Sequence, residues 1–135
     1  MRRGYLCALS LAIAWLWMLA APTPSDADDT ETCATKYPNA PTSPPEGYVY
    51  VNESDAYMAF RRAAIAAGLT SVKKMKREQV TSGPCEDHGE HLNMDGRNGK
   101  GEWRHVGSMT SCEICEETPR GPKLRQPIWR IHPKF

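Results

Sequence analysis

Apolar residues crowd the start of the chain and then thin out. After Arg2 and Arg3, residues 6–21 (LCALSLAIAWLWMLAA) form an uncharged, mostly apolar run of 16. A bilayer span needs ~20 residues, so this run is short for one. A breaker segment follows, and Ser25 and Ala27 put small residues where a signal peptidase reads. Residues 1–27 therefore read as an export signal cut after Ala27; Ala21 is the alternative, disfavoured by Pro22. Residues 28–46 are polar and carry Pro38, Pro41, Pro44 and Pro45, which predicts an extended arm.

Beyond the arm the pattern becomes periodic. GYVYV (47–51) is a strand by composition. Residues 52–68 predict the main helix. Asn52 caps it, and Asp55 favours its positive start. Tyr57, Phe60, Ala64 and Ala67 form one stripe; Arg61 lies on its flank, Arg62 points away, and Gly68 stops it. Residues 70–83 fit either a loose helix or a lysine-rich edge strand. Asn98-Gly99 predicts a hairpin with a two-residue turn, which pairs Arg97 with Lys100, Leu92 with His105, and Met94 with Trp103. That register also sets Cys85 opposite Cys112, with Cα atoms ~5.5 Å apart. Residues 128–132 alternate as a terminal strand, with Trp129 and Ile131 on one face and Ile128, Arg130 and His132 on the other.

Cysteine use strengthens this picture. Beyond the signal stand Cys33, Cys85, Cys112 and Cys115, an even set in an exported chain. If Cys85 joins Cys112, elimination joins Cys33 to Cys115. The expected architecture is a single small α+β domain at 47–135, one main helix on a short antiparallel sheet, stapled by two disulfides. The expected location is secreted or periplasmic, with no membrane span left after signal cleavage. Asn52-Glu53-Ser54 is a glycosylation sequon that matters only in a eukaryotic secretory route.

Charge changes the functional picture. The chain has 17 basic and 16 acidic residues; removing Arg2, Arg3 and Asp26 with the signal leaves 15 of each. Net neutrality removes any global affinity for polyanions or membranes. The distribution is uneven, however. Residues 120–135 carry Arg120, Lys123, Arg125, Arg130 and Lys134 and no acid. Lys123, Arg125, Trp129 and Arg130 are therefore the candidate contact residues. Trp and Arg are enriched where binding energy concentrates. The expected function is a non-catalytic binding or inhibitor-type domain, without a cofactor, that engages a macromolecule with an acidic surface, a protein in the first instance.

The alternative is a small metal-dependent hydrolase or nuclease. Glu86, Asp87, His88, Glu90 and His91 supply acid–base groups, and Cys85, His88, His91, Cys112 and Cys115 supply zinc-ligand types. On a strand, though, His88 and His91 face opposite ways, and zinc would leave Cys33 unpaired. No nucleophile motif or phosphate loop accompanies the cluster. Cys112-x-x-Cys115 as a redox dithiol is opposed by Glu113, Glu116 and Glu117, which disfavour a thiolate. Residues 91–102 imitate a calcium loop through Asn93, Asp95, Gly96 and Glu102, but His91 takes the first ligand position.

Overall fold

The computed structural model describes residues 30–135; the segment expected to be an export signal, residues 1–27, and its expected cleavage site lie outside them. The elements run α1 (Cys33–Lys36), α2 (Glu53–Ala66), β1 (Ser71–Gln79), β2 (Glu90–Arg97), β3 (Trp103–Cys112), β4 (Cys115–Thr118), β5 (Gly121–Leu124) and β6 (Ile128–Pro133). One antiparallel sheet has the order β1-β2-β3-β6, and β4 and β5 form a second, two-stranded one. Helix α2 packs on the larger sheet. This is the expected α+β domain, with Cys85 bonded to Cys112 and Cys33 to Cys115.

Helix α2 begins where its sequence caps it. Asn52 Oδ1 accepts from the Asp55 backbone N–H at 2.8 Å, and Glu53 and Asp55 stand in the positive first turn. Ala56, Phe60 and Ala64, four residues apart, are fully buried. The expected stripe is thus rotated slightly. Tyr57 is only half-buried and donates its hydroxyl to Val72 O at 3.2 Å. Ala67 has left the helical turn and is exposed. Small alanines flanking Phe60 let the helix sit close to Leu92, Met94, Val106, Met109 and Trp129, the heart of the core.

Residues 70–83 resolve into the edge strand β1. Only Val72 in it is buried, and a register shift interrupts it between Lys74 and Arg77. Lysines and a bulge on an edge discourage further strand pairing. Two of the basic residues also tie β1 to the helix. Arg77 donates Nη1 and Nη2 to the two Glu53 carboxylate oxygens at 2.8 and 2.7 Å, and Lys74 Nζ donates at 2.6 Å. The Arg77 hydrogen bonds are the largest influence on Glu53; burial opposes them and Lys74 adds to them, so the carboxyl is held at about 2 against an ordinary 4.5. A depressed acid contributes stability above its unfolded pKa and loses it as pH falls through the folded one. Glu53→Gln should therefore cost about 1 kcal/mol at neutral pH, since these side chains remain partly solvated. The difference from the parent should shrink below pH 4.5 and vanish toward 2, as read from melts across pH.

Three expectations are corrected. Residues 47–51 do not form a strand. Only Tyr50 bridges to Trp129, exchanging backbone hydrogen bonds at 3.0 and 2.8 Å, while Val49 and Val51 are exposed. The arm is not merely extended, since Thr32 caps α1 and Cys33 is buried. The hairpin turn is longer than two residues. Arg97 pairs with Trp103, so residues 98–102 form the loop.

The physical reason for the longer loop is the Asn98 side chain. Its Oδ1 accepts from the Lys100 and Glu102 backbone N–H groups at 2.9 and 3.0 Å, and Gly101 takes the left-handed position at φ 81°. A second irregularity between Met94 and Asp95 shifts the ladder again, so Leu92 faces Met109 and Met94 faces Gly107. Cys85 therefore reaches Cys112 not as a ladder partner but from the turn before β2, where Asp87 N–H bonds Val80 O and Val80 N–H bonds Gly89 O. The Cα atoms are 5.4 Å apart.

Candidate functional site

The basic C-terminal segment is divided by the fold. Trp129 is 4% exposed and belongs to the core, so it packs the domain rather than presenting a contact. The alternation of β6 sends its neighbour Arg130 the other way. Arg130 Nη1 donates to Glu46 O at 2.9 Å and lies over Gly47, where a Cβ would stand 2.7 Å from its Nε. Gly47 is at φ 88°, so it is required both for that turn and for that guanidinium. Lys123 and Arg125 lie elsewhere, on β5 and just after it, and both are exposed.

Beside Arg125 a groove of about 400 Å³ opens between Pro44, Val51, Ile114, Gln126 and Ile128. Its walls are set by backbone bonds. Cys115 N–H donates to Pro41 O at 2.8 Å, which brings the arm alongside β4, and Arg125 N–H donates to Ile114 O at 2.8 Å. The Tyr50–Trp129 exchange holds Val49 and Val51 at the edge of β6, where they remain 70% and 66% exposed. The Cys33–Cys115 bond fixes the base of the arm to the same hairpin. Several aliphatic surfaces thus converge on one cation-rimmed recess built from three separate parts of the chain.

The charges at the rim are locally balanced. Arg125 forms an ion pair with Glu116, and Lys123 stands opposite Glu116 in the β4–β5 register. Both members of the Arg125–Glu116 pair are about half exposed, and such pairs contribute ~0–1 kcal/mol. A partner carboxylate can therefore displace Glu116 at little cost. Glu117 is occupied, accepting from the Cys33 N–H at 3.1 and 3.2 Å.

The alternative metal set is not assembled. Cys85, Cys112 and Cys115 are all in disulfides, each with the bond it was expected to make, and so offer no thiolate. The Cys112-x-x-Cys115 dithiol is ruled out by the same two bonds. His88 lies in the turn before β2, 3.7 Å from Glu113 Oε1 and edge-on to Tyr37, whereas His91 is on β2. Among the described residues no group of three or more His, Cys, Asp or Glu is placed to hold a metal ion. Residues 91–102 form β2 and its hairpin loop rather than a calcium loop, and Glu102 accepts from Asn98 Nδ2 at 3.1 Å.

No protein-family model, curated protein or solved structure matches the chain. The geometry of the grooves therefore carries the functional reading. Sequence reasoning missed the part played by Pro44, Val51, Ile114 and Ile128. They lie in separate segments of the chain, and the Cys33–Cys115 disulfide with the Cys115–Pro41, Arg125–Ile114 and Tyr50–Trp129 backbone bonds brings them together. The one signal in the sequence is the pair of valines in GYVYV, apolar residues in a segment with no helical or extended partner pattern of its own. Among the described residues, no helix is long and apolar enough to cross a membrane.

Proposed function

We propose that this protein is an exported, non-catalytic binding domain that receives an extended segment of an acidic protein at the groove beside Arg125. The observation that carries this reading is the convergence of Pro44, Val51, Ile114 and Ile128 on one recess rimmed by Arg125, with Lys123 nearby on the same hairpin. An aliphatic or aromatic side chain fills the recess. An adjacent carboxylate takes Arg125 from Glu116, forming the paired hydrogen bonds that a guanidinium favours. The Cys33–Cys115 disulfide fixes the arm to the hairpin beside the groove, which lowers the ordering cost of association. The two disulfides support export, since such bonds persist in oxidising compartments.

The test is a peptide-display selection against the purified, oxidised protein. Selected peptides should pair an apolar residue with a neighbouring Asp or Glu. Arg125→Ala should weaken them by about tenfold, the loss of one charge-assisted hydrogen-bonded pair. Glu116→Gln should tighten them, because it frees Arg125 without touching the recess. Peptides with no acidic preference, or binding indifferent to both substitutions, would overturn the reading.

A further inference from the structure

Three of the four histidines lie on the face of the main sheet turned away from α2. The register fixes this. His91 of β2 faces Thr110 of β3, which faces Arg130 of β6; Asn93 faces Ser108, which faces His132; and Asp95 faces His105. Leu92, Met94 and Met109, on the alternate positions, enter the core under the helix. An open face of polar residues is ordinary for an antiparallel sheet. The unusual feature is its relief. The central strand carries the short hydroxyls of Ser108 and Thr110, 8% and 7% exposed, while its neighbours carry imidazoles.

The result is a trough of about 460 Å³ over β3. One rim is the segment Glu78–Ser82, and the other is formed by Tyr48 and Lys134. The floor and walls are rich in groups that both donate and accept: Ser108, Thr110, Tyr48, Thr81, Ser82 and Gln79. Three ionisable nitrogens line it, on His91, His132 and Lys134, against one carboxylate, Glu78. Arg130 stands just outside, its guanidinium held by Glu46 O.

We propose that this trough binds a saccharide carrying a tetrahedral oxyanion, a sulfate or phosphate ester. The ester lies between His91, His132 and Lys134, and the sugar hydroxyls meet Ser108, Thr110 and Tyr48. The hydroxyl-lined floor suits a sugar rather than an apolar ligand. Lys134 and the protonatable His91 and His132, set against the single Glu78, favour a sugar that carries negative charge.

Protonation tunes the site. Burial first, then the positive charges of Arg130, His91 and Lys134, hold His132 below the ordinary imidazole range. The groups facing it are Tyr48 from the segment before α2, Glu78 from β1, His91 from β2, and Arg130 and Lys134 from β6 and beyond. Burial raises Tyr48 and Arg130 opposes that, so the phenol stays a neutral hydrogen-bonding group near neutral pH. A bound oxyanion offsets the cationic field and favours protonated His132, so affinity rises as pH falls.

The experiment is an NMR titration of the oxidised protein with a glucose sulfate monoester, a glucose phosphate monoester, inorganic sulfate and glucose. A sulfate ester keeps one charge across the range, so its affinity reports the protein's own protonation. Saturable shifts are expected at Ser108, Thr110 and the His91 and His132 imidazoles, with about tenfold tighter sulfate-ester binding at about pH 5.5 than at about pH 7.5. His132→Gln should reduce that pH dependence, and His91→Gln combined with it should remove most of what is left. Lys134→Gln, beyond the end of β6, should weaken binding at both values without unfolding the sheet. The tighter of the two esters identifies the anion. The proposal is overturned if neither ester saturates, if the shifts map away from the trough, if glucose or inorganic sulfate binds as tightly, or if the pH dependence survives replacement of both His91 and His132 by Gln.

Discussion

Replacing Cys85 and Cys112 together by alanine should lower the unfolding free energy by about 4 kcal/mol, measured by chemical denaturation without reductant. The bond closes a span of 27 residues, and that constraint on the unfolded chain supplies most of the loss. The remainder comes from packing, since Cys85 is 1% exposed and Cys112 fully buried. Domains of this size are stable by only ~5–15 kcal/mol, so the variant should sit close to its unfolding threshold at physiological temperature. A loss under about 1 kcal/mol would mean that the turn before β2 is held by its backbone bonds alone and the disulfide adds little.

Phe60→Ala should cost a further and separable ~3–5 kcal/mol. Phe60 has no exposure, and its ring meets Phe135 edge-on with centroids 5.5 Å apart. Its neighbours on the helix are alanines, which cannot swing into the gap, and across it stand sheet residues fixed by the ladder. The cavity therefore stays largely open, which puts the cost toward the upper part of the range for such substitutions. Arg62→Ala, on the exposed side of the same helix, should shift the midpoint little. Equal effects from the two would contradict the burial of Phe60.

What the sequence made legible, and what it hid, divides along the range of the interactions involved. Helix α2 was readable because its signals are local: Asn52 caps it, Phe60 and Ala64 repeat at helical spacing, and Gly68 ends it. The Asn98-Gly99 register that sets Cys85 opposite Cys112 is three to four residues off at the pairs that define it. Cys85 meets Cys112 through the turn at 83–88, which that register does not include. The Asn98 side chain sets the loop by bonding two backbone groups beyond the dipeptide, a choice that Asn-Gly alone does not reveal. Alternation in 128–132 already separated Trp129 from Arg130, so their shared role as contact residues conflicted with the strand they were placed on. The histidine trough was invisible because His91 and His132 are far apart in sequence and meet only through the central strand, whose pairing with β6 no local pattern specifies.

The nesting of the two disulfides carries a consequence for biosynthesis. Cys33 finds its mate 82 residues downstream, and the 27-residue Cys85–Cys112 loop lies inside that span. A ribosome delivers the chain from the amino end, so among the four bonded cysteines Cys33 emerges first and its rightful mate emerges last, behind both sulfurs of the inner bond. The first downstream thiol within its reach, Cys85, is the wrong one. Any oxidant that acts faster than synthesis will trap that mispairing, and only attack by a further thiolate can release it. The yield of correctly joined protein should therefore track the availability of a disulfide-exchange catalyst more closely than the supply of oxidant.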